Sequence, residues 1–186
     1  MSRSTFSPLD WTYEDYARLP DDGNRYEILD GEILVRPRPG PDHQHVIGNL
    51  YLRLRPYVED SDLGTVLCEV DFLFVPGQYV SPDLIYVPTA RRHGITRRGV
   101  EALPDLVVEV LSPGSASVDQ VRKRELYAGA GVPEYWVVDP FRRVVWRYDS
   151  ARGGAEPERV EARLVWQPQE AGTQLELDVA DLFRGI

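Results

Sequence analysis

Three residues of this chain stand where solubility alone gives them little reason to be. Glu109 lies inside the apolar run DLVVEVL (residues 105–111), flanked by Val108 and Val110. Burying a carboxylate there is costly unless it is paired or holds a metal ion. Asp83 opens a second apolar stretch, SPDLIYV. Lys123, in VDQVRKREL, is the single lysine; the other 20 of the 21 lysine and arginine residues are arginine. A solvated helix face accepts either residue, because both are good helix formers. Lysine differs where a compact ammonium is needed rather than a planar fork. Two carboxylates on adjacent strands can hold a hard divalent cation through oxygen. Such a cation polarises a phosphoryl oxygen and acidifies water. A nearby ammonium steadies the nucleophile or the developing charge.

Each residue also has a plain structural explanation. Asp83 follows Pro82 and can start a strand or cap a turn. Glu109 can pair with an arginine. Lys123 can point into solvent. The joint order of strand, strand and helix favours a site. Tyr127, one turn after Lys123, can orient it or simply pack.

The elements that must position these residues follow from pattern. Thr12 and Asp15 mark a short helix start that stops near Pro20. RYEILDGEILVR (residues 25–36) reads as two strands around the Asp30-Gly31 turn. Pro37 to Pro41 is a loop. HVIGNLYLRLRPYV (45–58) has helical spacing at Val46, Leu50 and Leu54, with Pro56 weakening its last turn. Strands are expected at 64–75 and 83–87, and a basic loop or short helix at 88–103. DLVVEVL reads as a central strand buried on both faces. Ser112 and Ser115 belong to a turn. Residues 118–130 form a helix ended by glycine. Strands follow at 134–139 and 143–148, then a polar loop, strands near Leu164 and Leu175, and a short helix at 179–183. The expectation is one α/β domain over residues 1–186.

The matching stretches RYEILDGEIL, the helix with His45, YVSPDLIYVP, PDLVVEVLSPGS and DQVRKRELYAGAGVPEYWVVDP resemble the Uma-type restriction endonucleases, a branch of the PD-(D/E)XK nuclease superfamily. The resemblance covers most of residues 20–148. It implies a restriction-endonuclease-like core, a mixed central sheet flanked by helices. It implies that Asp83 and Glu109 are the motif acids and metal ligands, with Mg²⁺ as the ion and Mn²⁺ as a substitute. It also implies a supporting acid at Glu27 and a histidine at His45. The pattern departs from D/E-X-K at Leu111, where the superfamily lysine would stand. In this branch Lys123 takes that place, which gives the sole lysine its reason.

Other features have open readings. Glu27 is flanked by Tyr26 and Ile28 in strand alternation and can be an exposed strand position. Arg91, Arg92, Arg97 and Arg98 lie between the two acidic strands and either contact phosphate or form a solvated loop. His43 and His45, two apart on a helix, face different ways. With Asp42 they therefore make a poor zinc site, lacking a convergent third ligand.

The whole chain narrows the classes. Its 186 residues include 42% hydrophobic and 27% charged residues, ordinary for a soluble globular protein. No run approaches a membrane span, and MSRSTFSPLD lacks a signal peptide's apolar core. Cys68, the one cysteine, reads as a buried small hydrophobe. The expected location is cytoplasmic, and a homo-oligomer is expected on family grounds. A net charge of −9 argues against a broad nucleic-acid-binding face. The reading is a metal-dependent phosphodiesterase acting on DNA. Its rival is a catalytically silent domain of the same fold, used for binding or assembly.

Overall fold

The computed structural model describes residues 11–36, 39–112, 117–150 and 156–186. The turn expected at Ser115 and the N-terminal decapeptide lie outside them. Helix α1 (Tyr13–Tyr16) begins with Thr12 and Asp15 capping each other's backbone amides, the reciprocal arrangement their spacing suggests. Strands β1 (Arg25–Leu29) and β2 (Glu32–Arg36) form a hairpin. Asp30 and Gly31 at its tip both have positive φ, 52° and 77°, the backbone that a two-residue hairpin turn demands.

Helix α2 (Pro41–Asp60) starts four residues earlier than its apolar spacing implies, with Pro41 in its first turn. Proline is preorganised there and has no amide to lose. The helix also runs four residues past Pro56. The carbonyl that Pro56 cannot engage belongs to Leu52, which is 68% exposed, so water can satisfy it. Strands β3 (Gly64–Cys68), β4 (Leu84–Pro88), β5 (Leu106–Val110), β6 (Glu134–Asp139), β7 (Val144–Asp149) and β8 (Glu158–Val160) make one six-stranded sheet in that order. Its pairs are antiparallel except β5 with β6. That parallel pair needs a crossover, and helix α3 (Ser117–Ala130) supplies it. Gly131, at φ 84°, ends α3; the Val132 amide donates to the Tyr127 carbonyl at 2.9 Å, closing the helix on a left-handed residue. Strand β3 is shorter than expected. After Cys68 the chain leaves the sheet, and Phe72 makes only isolated bridges to Val80 and Val100. A hairpin of β9 (Arg163–Trp166) and β10 (Leu175–Asp178) leads to helix α4 (Val179–Leu182).

The sheet separates two apolar layers. Leu84, Tyr86, Leu106, Val108 and Val110 pack with Val46, Leu50 and Leu54 of α2 and with Trp166. Ile85, Val87, Val107, Tyr135 and Val137 pack on the other face with Tyr127 of α3 and Leu29 of the hairpin. Each fully buried side chain of this size stabilises by about 1.5–3 kcal/mol. Strand alternation explains why DLVVEVL carries no polar stripe: both faces are covered. It also directs Glu109 to the face of α3. No helix of the described residues is long and apolar enough to cross a membrane.

The basic segment is a 3-10 helix (Thr89–Gly94) and the loop after it. Arg91 pairs with Asp105. Arg92 donates to the Gly64 carbonyl at 2.9 Å and to Thr65 Oγ1 at 3.1 Å. Arg98 forks onto Glu101 and lies 4.9 Å from the Tyr13 ring centre. Alanine at Arg92 should therefore cost about 1 kcal/mol of stability in urea melts and leave activity alone. Lost activity at unchanged stability would return this arginine to the substrate.

Candidate active site

Four charged side chains from four elements meet at one end of the sheet. Continuing the register Leu84↔Val108 by one residue sets Asp83 opposite Glu109. Asp83 stands immediately before β4 and Glu109 near the end of β5, so both are at the same end of the sheet. Lys123 and Tyr127 share one face of α3, four residues apart. Glu27 arrives from β1 and is 2% exposed, against the exposed position that its alternation allowed. The bridge from Ile28 to Tyr79 fixes that strand against the core.

Lys123 Nζ donates to Glu27 Oε1 at 2.8 Å and to Glu109 Oε1 at 2.9 Å. The Tyr127 hydroxyl donates to the same Glu109 oxygen at 2.8 Å. Both donors fall on Oε1, which leaves Oε2 of Glu109 to another partner. The Ser81 amide donates to Glu27 Oε1 at 3.1 Å, and Arg36 Nε lies 3.5 Å from Glu27 Oε2. Asp83 Oδ2 accepts from the Val110 amide at 2.7 Å and from His43 Nε2 at 3.1 Å. Its other oxygen faces Arg25 Nη1 at 3.6 Å. A carboxylate accepts only, so His43 carries its proton on Nε2. Its buried Nδ1 has no hydrogen-bond partner among the described residues.

Burial pushes the Glu109 carboxyl up to about 7; Lys123 opposes the rise, and the charges of Asp83 and Glu27 add to it. Burial also acts to lower Lys123, but Glu109 and Glu27 more than offset it and hold the ammonium above its ordinary range. The Tyr127 hydroxyl is raised by burial and by the Glu109 charge, so it stays a donor.

The structure thus brings together Glu27, Asp83, Glu109 and Lys123. It does not bring His45. That residue is exposed, and its Nδ1 lies 3.4 Å from where a side chain on Gly185 would begin. His43 occupies the place instead. The physical reason is the start of α2: with Pro41 in its first turn, His43 falls on the same face as Val46, Ile47 and Leu50, while His45 falls opposite. Counting back from Val46 and Ile47 by three and four residues would have found it. Nor does any hydrogen bond or ion pair among the described residues join Arg91, Arg92, Arg97 or Arg98 to these four side chains. Arg91 and Arg92 follow β4 at the end opposite Asp83, and pairing partners distant in sequence engage them. The cations that do border the acids, Arg25 and Arg36, sit on the hairpin and carry no local signal in sequence.

Among the described residues no group of three or more His, Cys, Asp or Glu side chains converges on a metal-sized point. The donor set is therefore two facing carboxylates: Lys123 and Tyr127 do not use Oε2 of Glu109, and Oδ1 of Asp83 faces Arg25 at 3.6 Å. That suits a small hard ion that keeps several waters and does not suit zinc.

An acid pair facing across neighbouring strands, with an ammonium from the crossover helix, on a mixed sheet covered by helices, is the frame of a nuclease-like α/β protein. The chain belongs to the Uma2 family, described as "Putative restriction endonuclease", whose model matches residues 13–180. The fold is similar to that of a crystal structure from Anabaena variabilis described as "a putative nuclease belonging to DUF820". The TM-score is 0.77 at 22% identity, covering 93% of this chain and 97% of that one. No protein of curated function matches the chain.

Proposed function

We propose that this protein is a divalent-metal-dependent phosphodiesterase that hydrolyses the DNA backbone. The observation that carries the reading is Lys123 Nζ held between Glu27 and Glu109, on the face where Asp83 stands opposite Glu109. Asp83 and Glu109 would hold Mg²⁺, with Mn²⁺ as a substitute, which when bound supplies Lewis-acid polarisation of the phosphoryl oxygen. An ammonium has three N–H donors; two are spent on carboxylates, and the third is left for charge developing on phosphate. His43 and the Val110 amide fix the orientation of Asp83. Glu27 fixes the ammonium. Tyr127 fixes Glu109.

One observation favours a silent domain of the same fold, used in binding or assembly: the arginines Arg25, Arg91, Arg92 and Arg98 all turn onto carboxylates or backbone of this chain, and the net charge is −9. The test is incubation with supercoiled plasmid, with single-stranded and duplex DNA, and with RNA of one sequence, in Mg²⁺, in Mn²⁺ and in EDTA. Cleavage of DNA in either metal, absent in EDTA and absent from Asp83→Asn, is the expected result. Intact nucleic acid under every condition selects the silent domain.

A further inference from the structure

A cleft of about 340 Å³ opens beside the acidic cluster, lined by Tyr16, Arg25, Tyr26, Glu69, Asp71 and Ser81 among others. Two of its residues reach the cluster directly. Arg25 Nη1 is 3.6 Å from Asp83 Oδ1, and the Ser81 amide donates to Glu27 Oε1. Whatever occupies the cleft is thus one residue's width from the carboxylates proposed to hold the metal ion.

The lining says what kind of group fits. Arg25, the cation in the lining, is paired with Glu69 and faces Asp83, while Asp21 and Asp71 add negative charge, so the anionic part of a substrate gains nothing by entering. Both tyrosine rings are fixed before any ligand arrives. The Tyr16 hydroxyl donates to Asp71 Oδ1 at 3.0 Å, and its ring stacks on Tyr79 with centres 5.3 Å apart. The Tyr26 hydroxyl donates to Asp22 Oδ2 at 2.8 Å. Rigid aromatic walls receive a flat ring at little entropic cost. Ser81 Oγ donates at 2.5 Å to the same Asp71 oxygen that Tyr16 uses. With both donors on Oδ1 and no bond to Oδ2 among the described residues, Oδ2 of Asp71 is left to accept from a ligand. A flat ring offering N–H to a carboxylate describes cytosine at N4, adenine at N6 and guanine at N2. Thymine and uracil offer only N3–H, and the O2 and O4 carbonyls on either side of it would face the carboxylate and oppose the contact.

We infer that this cleft is a nucleobase subsite, which takes an unpaired base bearing an exocyclic amino group next to the phosphodiester at Asp83 and Glu109. The adjacent phosphodiester rests on the nuclease reading; the base preference does not. A base stacked and paired within a duplex presents no free ring face to the tyrosines, so the substrate is single-stranded or locally opened there. The volume lies at the lower end of ordinary ligand pockets, roughly 300–1,000 Å³.

Uncharged nucleosides test the inference without phosphate, metal or cleavage. Deoxycytidine and thymidine are titrated separately into the ¹⁵N-labelled full chain in EDTA, and the amides of Arg25, Tyr26 and Ser81 are followed by NMR. Deoxycytidine should move them, and thymidine should bind about tenfold more weakly, the size of one carboxylate-to-amino contact. Asp71→Asn keeps an oxygen for Tyr16 and Ser81 but places an NH₂ where Oδ2 stood, so it should erase the preference. Tyr26→Ala should weaken both nucleosides and keep their ratio. Equal responses to the two nucleosides, or none to either, would overturn the subsite. So would movement of these amides by spermidine alone, which would assign the cleft to organic cations. Preference for deoxycytidine in a chain that cleaves nothing would keep the subsite and discard the nuclease reading.

Discussion

Arginine at position 123 should reduce DNA cleavage by about 10²–10³, the usual loss when one preorganised electrostatic contact is removed. The ammonium sits 2.8 Å from Glu27 and 2.9 Å from Glu109, with a side chain 9% exposed. A planar guanidinium spreads its charge over a fork and cannot place it at that point. Tyr127 already occupies part of the space around the shared Glu109 oxygen. The swap therefore also strains the fold, which would not follow if Lys123 lay on a solvated helix face. Methionine separates the two effects. It leaves Glu27 and Glu109 buried without their cation, at a cost of about 3–5 kcal/mol. Adding Glu27→Gln to it removes one stranded charge and should recover part of that loss, a coupling that a double-mutant cycle in urea reads directly. Cleavage rates in Mg²⁺ are taken beside the melts, on protein shown to be folded. Parent-level cleavage by the arginine variant would leave the sole lysine without a catalytic role.

Sequence pattern reveals this site unevenly, and the reasons are physical. Glu109 stands out because a carboxylate inside an apolar strand violates a local rule, and Lys123 because the chain otherwise writes its basic residues as arginine. Strand alternation then predicts that Glu109 faces one layer only, and that layer holds Lys123. The hairpin turn and the glycine stop of α3 are legible because positive φ restricts residue choice. His43 is less legible. Its environment depends on where α2 begins, and Pro41 starts the helix before its apolar spacing does. The arginines are ambiguous in sequence for a different reason. Clustering in sequence says nothing about partners 14 to 28 residues away, such as Asp105 and Gly64. Arg25 draws no attention in sequence, yet it borders both Asp83 and the cleft, because the hairpin folds back over the sheet end.

Glutamine at position 109 should abolish divalent-ion binding while making the fold more stable at alkaline pH. The Glu109 carboxyl is raised from 4.5 to about 7 in the folded chain, chiefly by burial. A group whose affinity for protons rises on folding stabilises the fold fully below its unfolded value. That contribution is lost as pH climbs through the folded value. In the parent it is present near pH 4.5 and gone above about 7. Each tenfold rise in proton affinity is about 1.4 kcal/mol, so the ionised carboxylate costs at most about 3 kcal/mol at pH 8, less whatever Lys123 loses with its partner. Glutamine carries no such dependence. The stability of Glu109→Gln relative to the parent should therefore increase from pH 5 to pH 8, read by urea melts at both. Titration calorimetry at pH 8 should show Mn²⁺ binding to the parent and none to the variant. Parent binding should weaken about tenfold for each pH unit below 7, because the metal competes with one proton. A variant that binds Mn²⁺ like the parent would remove Glu109 from the metal's ligands. A stability difference that stays flat with pH would show that the carboxylate is ionised throughout, held so by Lys123.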